Sequence, residues 1–345
     1  MKVTEDYQNF IIIAFRIFSP MTYNTVRIIS RNILRSATFM LILGMLFILI
    51  SCKSRGPKEI ADNPTSGNIK ISVDESFQPL IDTQVFTFTA LYKNAYINAA
   101  YKPEVDVVND FMNDSVKVMV TSKKLSDNQL QYLRDHLIIG RTITFAYDAL
   151  AIITNKENLD SLITYNSIKD IFKGQVKNWK EIDAKSKLGR ISVIFDSNKS
   201  ANIRYFKEMF EINDSLANNF YAMNSNAEVI DFVSRNPDAM GIISVNWISD
   251  KDDPVSASFI KKVNVLAISQ EFMNDGSYYR PYQGSIANRS YPFIREVYLI
   301  TRETYKGLGS GFIQWVTSQP GQTIVLKSGL VPATMPVRLV QIKTE

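Results

Sequence analysis

From Ile69 onward, short continuous apolar runs alternate with segments whose apolar positions recur every three to four residues. The first pattern predicts buried strands and the second amphipathic helices. Ile69–Val73, Val116–Val120, Tyr147–Thr154, Ile191–Phe195, Met240–Val245, Val263–Ile268 and Val297–Thr301 read as strands. Phe77–Tyr92 places Leu80, Ile81, Val85 and Phe88 on one stripe and reads as a helix; Ser126–His136 is a second, with Ser126 as its cap. Asn166–Phe172, Asn202–Glu211, Ala227–Asn236, Phe312–Ser318 and Gln322–Lys327 complete the helical set. Strands separated by helices predict an α/β fold with largely parallel sheets.

The N-terminal pattern differs. Arg27, Arg31 and Arg35 precede an apolar stretch, Ala37 to Ile50, which is short for a bilayer span and suits a signal-peptide core. It ends in Ser51-Cys52, and Cys52 is the chain's single cysteine. This resembles the bacterial lipoprotein signal, which makes Cys52 the expected lipidated residue; a short membrane anchor with an incidental cysteine is the alternative. Residues 52–67 are polar and rich in Pro and Gly, and read as a flexible tether. A second apolar patch, Phe10–Phe18, is interrupted by Arg16, and a true start at Met21 would account for it.

Charge changes the picture only through this segment. The formal net charge of +5 arises largely in residues 1–51, which hold five basic and two acidic side chains; the remaining 34 basic and 32 acidic residues nearly cancel. A nucleic-acid binder keeps a basic surplus in its folded part, so none is expected as a partner. One cysteine and one histidine exclude a disulfide framework and a zinc site built from several Cys and His, and no metal or cofactor is expected.

Catalytic patterns are sparse. His136 reads as a surface or capping residue. Gly307-Leu-Gly309-Ser-Gly311 lacks the full spacing of a dinucleotide loop and no strand runs directly into it. Asp252-Asp253 beside Pro254 reads as a solvated turn. Three polar loops that follow strands suit an anion better: Asp74-Glu75-Ser76-Phe77, Thr121-Ser122-Lys123-Lys124, and Asp196 to Asn202 with Lys199 and Ser200. Free N–H groups at a helix start favour an anion there, although plain capping by Asp74 or Ser76 needs no ligand. Loops at strand C-termini are where open α/β sheets place ligands.

Several stretches, taken in order and spacing, resemble the PstS-like phosphate-binding proteins of ABC transporters in their Bacteroidetes lipoprotein form: VDESFQPLI (73–81), VTSKKLS (120–126), the long run Tyr147–Ile182 with its Asp148 and Asn178-Trp179, FDSNKSANIRYF (195–206), MGIISVNWIS (240–249), YPFIREVYLIT (291–301), and GFIQWV with GLVPA near the end. The resemblance spans about residues 68–345. It implies a type II periplasmic-binding-protein fold, an α/β architecture of two lobes around a ligand cleft with two hinge crossings near Asp148–Ile152 and Val263–Ala267. Lobe 1 would comprise 68–148 plus 268–345 and lobe 2 149–263.

The resemblance also implies ligand residues. Ser76 and the Phe77 amide match the first phosphate contacts, Ser122 the second loop, and Ser200, Ala201 and Asn202 the third. Two departures stand out. The family arginine before the third loop is replaced by Phe195-Asp196, leaving the cation absent or supplied by Lys199 or Arg204. The second-loop aspartate is replaced by Ser122-Lys123-Lys124, so Lys123 would add a positive charge instead. Asp148 is expected to fix the hinge strand, Trp179 to pack the core, and Tyr278, Tyr279 and Tyr282 either to line the cleft or to cover the surface. The implied function is the substrate-binding component of a phosphate ABC transporter, lipid-anchored in the cell envelope on the periplasmic side, with inorganic phosphate or a similar oxyanion as ligand, an inner-membrane ABC permease as partner, and no enzymatic activity. A sensor, scaffold or receptor for another oxyanion on the same fold, and an enzyme of phosphate metabolism, are the alternatives.

Overall fold

The structure, a computed structural model, describes residues 61–272 and 276–335 together with Met40. The chain divides into Met1–Glu59 and Ile60–Glu345. The expected signal segment, Cys52 and the tether up to residue 60 lie outside the described residues. Among these, no helix is long and apolar enough to cross a membrane.

The second unit runs β1 (Gly67–Asp74), a 3-10 turn (Glu75–Phe77), α1 (Gln78–Leu91), β2 (Ala95–Lys102), α2 (Glu104–Met112), β3 (Val118–Thr121), α3 (Asp127–Asp135), β4 (Arg141–Asn155), β5 (Leu162–Ile163), α4 (Tyr165–Phe172), β6 (Ser192–Phe195), α5 (Ala201–Met209), β7 (Phe220–Ala222), α6 (Asn226–Arg235), β8 (Ala239–Ser244), a 3-10 turn (Val245–Trp247), α7 (Pro254–Lys262), β9 (Val263–Val265), β10 (Ala267–Ser269), β11 (Tyr278–Tyr279), α8 (Gln283–Ala287), β12 (Ile294–Thr301), α9 (Leu308–Thr317), α10 (Gln319–Lys327) and β13 (Val331–Pro332).

One curled sheet, ordered β2-β1-β3-β12-β4-β8-β6-β7, forms the frame. β1 is parallel to β2 and β3, and β6 is parallel to β7 and β8, as βαβ connections require. Between these parallel groups β12 and β4 run antiparallel to their neighbours, so the sheet is mixed and not largely parallel. The 15-residue β4 joins the two groups. It pairs with β12 through Ala149, then with β8 from Leu150 to Thr154. Its residues Phe145, Ala146 and Ala149 to Ile153 are fully buried in the core, which explains the unbroken apolar run.

Most expected elements form within a residue or two of their predicted ends. Ser126 accepts from Gln129 N while the Gln129 side chain takes the Ser126 N–H, completing a capping box on α3. Besides short strands and one short helix, three elements of eight or nine residues escaped the periodicity. β2 is an edge strand with little buried surface, and so carries no apolar signal. α2 buries only Glu104, Val107 and Phe111. Asp252-Asp253 is not merely a solvated turn: Asp253 caps α7, accepting from Ser256 N at 2.7 Å, and Pro254 occupies its first turn. The expected strand Val263–Ile268 is two, because the chain changes partner at Leu266, from β4 to β5.

Candidate functional site

A buried polar cluster lies where the two parallel groups meet, at the C-terminal ends of β1, β6 and β8. Asp74 ends β1 and its Oδ1 accepts from Ser76 N at 3.0 Å, which turns the chain into α1. Ser76 Oγ donates to Asn202 Oδ1 at 3.3 Å, and Asn246 Nδ2 donates to the Ser76 carbonyl at 3.3 Å. Asn202, in the first turn of α5, donates through Nδ2 to Asp196 Oδ1 (3.1 Å) and Asn226 Oδ1 (3.3 Å). Ser200 caps α5, accepting from Ile203 N at 3.3 Å, and Ala201 beside it is buried.

The cation of this cluster is Arg295 on β12. It is cross-strand partner to Asp148 on β4, donates from Nε to Asp148 Oδ2 and from Nη1 to Asn202 Oδ1, both at 2.9 Å, and stacks its guanidinium 4.9 Å from the Phe77 ring centroid. Ser244 Oγ lies 3.0 Å from both oxygens of the same carboxylate, which it can serve with its one proton. Sequence reasoning placed the cation at Lys199 or Arg204, or nowhere. A signal did exist: Arg295 shares the inward face of its strand with Val297 and Leu299, and a charge on a buried face must be paired.

The other expected residues gather next to this cluster. Glu104 accepts from Thr121 Oγ1 (2.8 Å), Ser122 Oγ (3.1 Å) and the Arg204 guanidinium. Lys123 pairs with Glu208 at 3.2 Å and Lys199 with Asp106 at 2.9 Å. Glu104, Ser200, Arg204, Lys207 and Glu208 line a groove of about 820 Å³. The structure therefore brings Ser76, Phe77 and Asn202 together with Arg295, sets Ser200 and Ala201 at the adjacent helix start, and places Ser122 and Lys123 in a network of ion pairs.

Acids outnumber bases in the cluster. Asp74, Asp148 and Asp196 share Arg295 as the cation among them, and Glu75 adds a further carboxyl beside Asp74 and Asp196. Burial pushes Asp74 up to about 7, with Glu104 adding repulsion; burial likewise takes Asp196 to about 6, and raises Asp148 in spite of Arg295. Glu104 differs: burial raises it, but Arg204 outweighs burial and holds it below the usual carboxylate range. Of eight buried side-chain polar atoms without a hydrogen bond among the described residues, three sit here: Asp74 Oδ2, Asn246 Oδ1 and Arg295 Nη2, the last lying 2.9 Å from Asp148 Oδ2 in the ion pair and carrying a second N–H. Spare donors and acceptors in one buried place are the chemistry of a small polar ligand site.

The remaining candidates have structural tasks. Trp179 is fully buried and its Nε1 donates to the Asp238 carbonyl at 3.0 Å. His136 ends α3, exposed, with Nδ1 2.8 Å from the Tyr132 carbonyl. The Gly307–Gly311 loop opens α9, and its Gly309 and Ser310 N–H groups donate to Glu303, so the chain's own acid serves that helix start. Tyr278 and Tyr279 are partly buried, and Tyr282 is exposed. Among the described residues no group of three or more His, Cys, Asp or Glu is placed to hold a metal ion.

The chain is similar to several known proteins. The phosphate-binding protein PstS of Borreliella burgdorferi is 22% identical over 292 residues, covering 82% of this chain and 94% of that protein. The Staphylococcus epidermidis protein of the same name is 20% identical over 286 residues, covering 81% and 84%. Among solved structures, a Clostridium perfringens protein with bound phosphate superposes with a TM-score of 0.66 at 22% identity, covering 77% of this chain and all of that one. An ABC-type phosphate transport receptor from Vibrio cholerae gives 0.58 at 20% identity, covering 78% of this chain and all of that one. These likenesses bear out the two-lobed binding-protein fold. A family model described as the PBP superfamily domain matches residues 59–320, and the chain belongs to that superfamily.

Proposed function

We propose that this protein is the substrate-binding component of a phosphate ABC transporter, capturing inorganic phosphate between two lobes and delivering it to a membrane permease. The observation that carries the reading is the buried cluster around Arg295, where Ser76, Asn202 and the α5 start converge from both parallel groups and three polar atoms keep unused hydrogen-bonding capacity. The second N–H of Arg295 Nη2 and the amides at Phe77 and Ala201 are the donors, joined by the Ser76 and Ser200 hydroxyls once these turn from Asn202 and Asp196 to the ligand. Asp74, with its carboxyl raised to about 7, donates through a protonated Oδ2 when an anion is bound. A charge-assisted hydrogen bond contributes roughly 1.5–3 kcal/mol, and a micromolar site needs about 8 kcal/mol net, so four or five such donors suffice. Lobe 1 (68–148 plus 268–345) and lobe 2 (149–263) would close about the β4 crossing and the return through residues 263–267. Cys52 would carry the lipid anchor on the periplasmic side, and Cys52→Ser should move the chain from the membrane to the soluble fraction.

The acid surplus favours one alternative, a receptor for a less highly charged oxyanion. Isothermal titration with phosphate, using sulfate as competitor, separates the two. Micromolar phosphate binding that excess sulfate leaves intact supports the transporter reading. A folded chain that ignores phosphate overturns it.

A further inference from the structure

Glu75 has no part in the ligand residues named above, yet it makes one of the strongest links between the two parallel groups. It stands in the 3-10 turn after β1 and reaches 151 residues along the chain to the start of α6. Its carboxylate oxygens lie 3.1 and 3.2 Å from Asn226 N, and Oε2 also accepts from Asn226 Nδ2. Ser225 caps the same helix from its own side, accepting from Glu228 N at 3.2 Å. The donors to Glu75 are thus amides, and no lysine or arginine forms an ion pair with it among the described residues.

The charged groups facing it are mostly acids. Asp74 precedes it on the same turn, and Asp196 comes from the end of β6. On α6, Glu228 is turned back onto Asn224, with Nδ2 at 3.0 Å. Arg295 from β12 is committed to Asp148 of β4 and to Asn202 of α5. Burial, only partly offset by the Asn226 amides, pushes the Glu75 carboxyl up to about 8.

We propose that Glu75 is a latch between the lobes that couples anion capture to proton uptake: the turn that carries it can dock on α6 only by burying its carboxyl among amides and other carboxyls, so closure takes up a proton that opening releases. This rests on the lobe-closing reading given above. In the open form the carboxyl faces water, has its ordinary acidity and is ionised at neutral pH. Closure raises it, so capture is favoured at low pH and weakens by up to tenfold per pH unit as pH rises from the ordinary carboxylate range towards about 8.

Glu75→Gln keeps an acceptor for the Asn226 N–H and removes the titration. Phosphate affinity measured by calorimetry for wild type and Glu75→Gln from pH 5.5 to 8.5 tests the proposal, because the protonation of phosphate itself cancels in the ratio. The variant should match wild type at pH 5.5 and bind at least tenfold more tightly by pH 8. A ratio that stays constant with pH, or a variant weaker at every pH, overturns the latch. If neither protein binds phosphate at any pH, the phosphate reading fails and the latch is judged by small-angle scattering of the same two proteins without ligand. Wild type should then expand as pH rises while Glu75→Gln does not, and identical curves overturn it.

Discussion

Arg295 shows how much one side chain can carry. Both it and Asp148 are almost inaccessible, at 5% and 0% exposure, and each satisfies the other across neighbouring strands. Removing one partner of such a pair leaves an uncompensated buried charge, which costs about 3–5 kcal/mol. Arg295→Met should therefore lower the free energy of urea unfolding by that much and abolish phosphate binding, while Arg295→Met with Asp148→Asn should recover much of the stability and none of the binding. Equal stability of wild type and the single variant would remove Arg295 from this role. Ser76→Ala with Asn202→Ala takes two polar groups from the cluster and leaves the Arg295–Asp148 pair in place. It should weaken phosphate binding by about a hundredfold, two lost hydrogen bonds of roughly 1.5 kcal/mol each, and leave the circular dichroism spectrum unchanged. A titration curve like that of wild type would place the ligand elsewhere.

The elements matter through their ends and their closest approaches. β1, β6 and β8 each finish at the cluster, and α5 and α6 start there, so the chain supplies caps and loops where it also supplies ligand chemistry. That double use made the loops at 74–77 and 196–202 readable as sites and equally readable as plain caps. Element packing is tested away from the cluster. In β8, a Cβ on Gly241 would meet Ile153 Cγ1 at 2.7 Å and Val233 Cγ2 at 2.8 Å, from β4 and α6. Gly241→Ala should cost about 1–3 kcal/mol in thermal or chemical unfolding through overpacking, and a neutral result would show that β4 and α6 yield easily there. On α3, Ser126→Ala breaks the capping box and should cost about 1 kcal/mol; that cap joins Ser126 only to Gln129, so phosphate affinity should not change.

For the whole molecule, the buried acids set a pH dependence. Asp74 and Asp196 rise to about 7 and about 6 in the folded chain, from ordinary values near 4 when unfolded. Between roughly pH 4 and 7 the folded state thus binds more protons, and stability contributed by these groups is present at the acidic end and lost as pH rises through their folded values. The depressed carboxyl of Glu104 acts oppositely, but its stabilisation is lost only below about pH 4, outside that window. Melting temperature should accordingly fall from pH 5 to pH 8, and Asp74→Asn should flatten the slope. A melting temperature that climbs over this range would mean that the cluster is not protonated as described.

The periodicity of apolar residues determined the α/β class, most strands and helices, and the strong β4 run, because burial on one face or both is written locally. The order of short motifs, which no single element could supply, pointed to the binding-protein family. Two things required the folded chain. One is the mixed sheet, since antiparallel pairing of β12 with β4 joins segments about 150 residues apart and depends on register, not on local composition. The other is the site itself. Ser76, Asn202 and Arg295 lie far apart in sequence, and Arg295 reads locally as one charge in an apolar strand; only pairing with Asp148 gives that charge a buried partner and makes it the cation of the cluster, while Lys199 of the nearby loop pairs with Asp106.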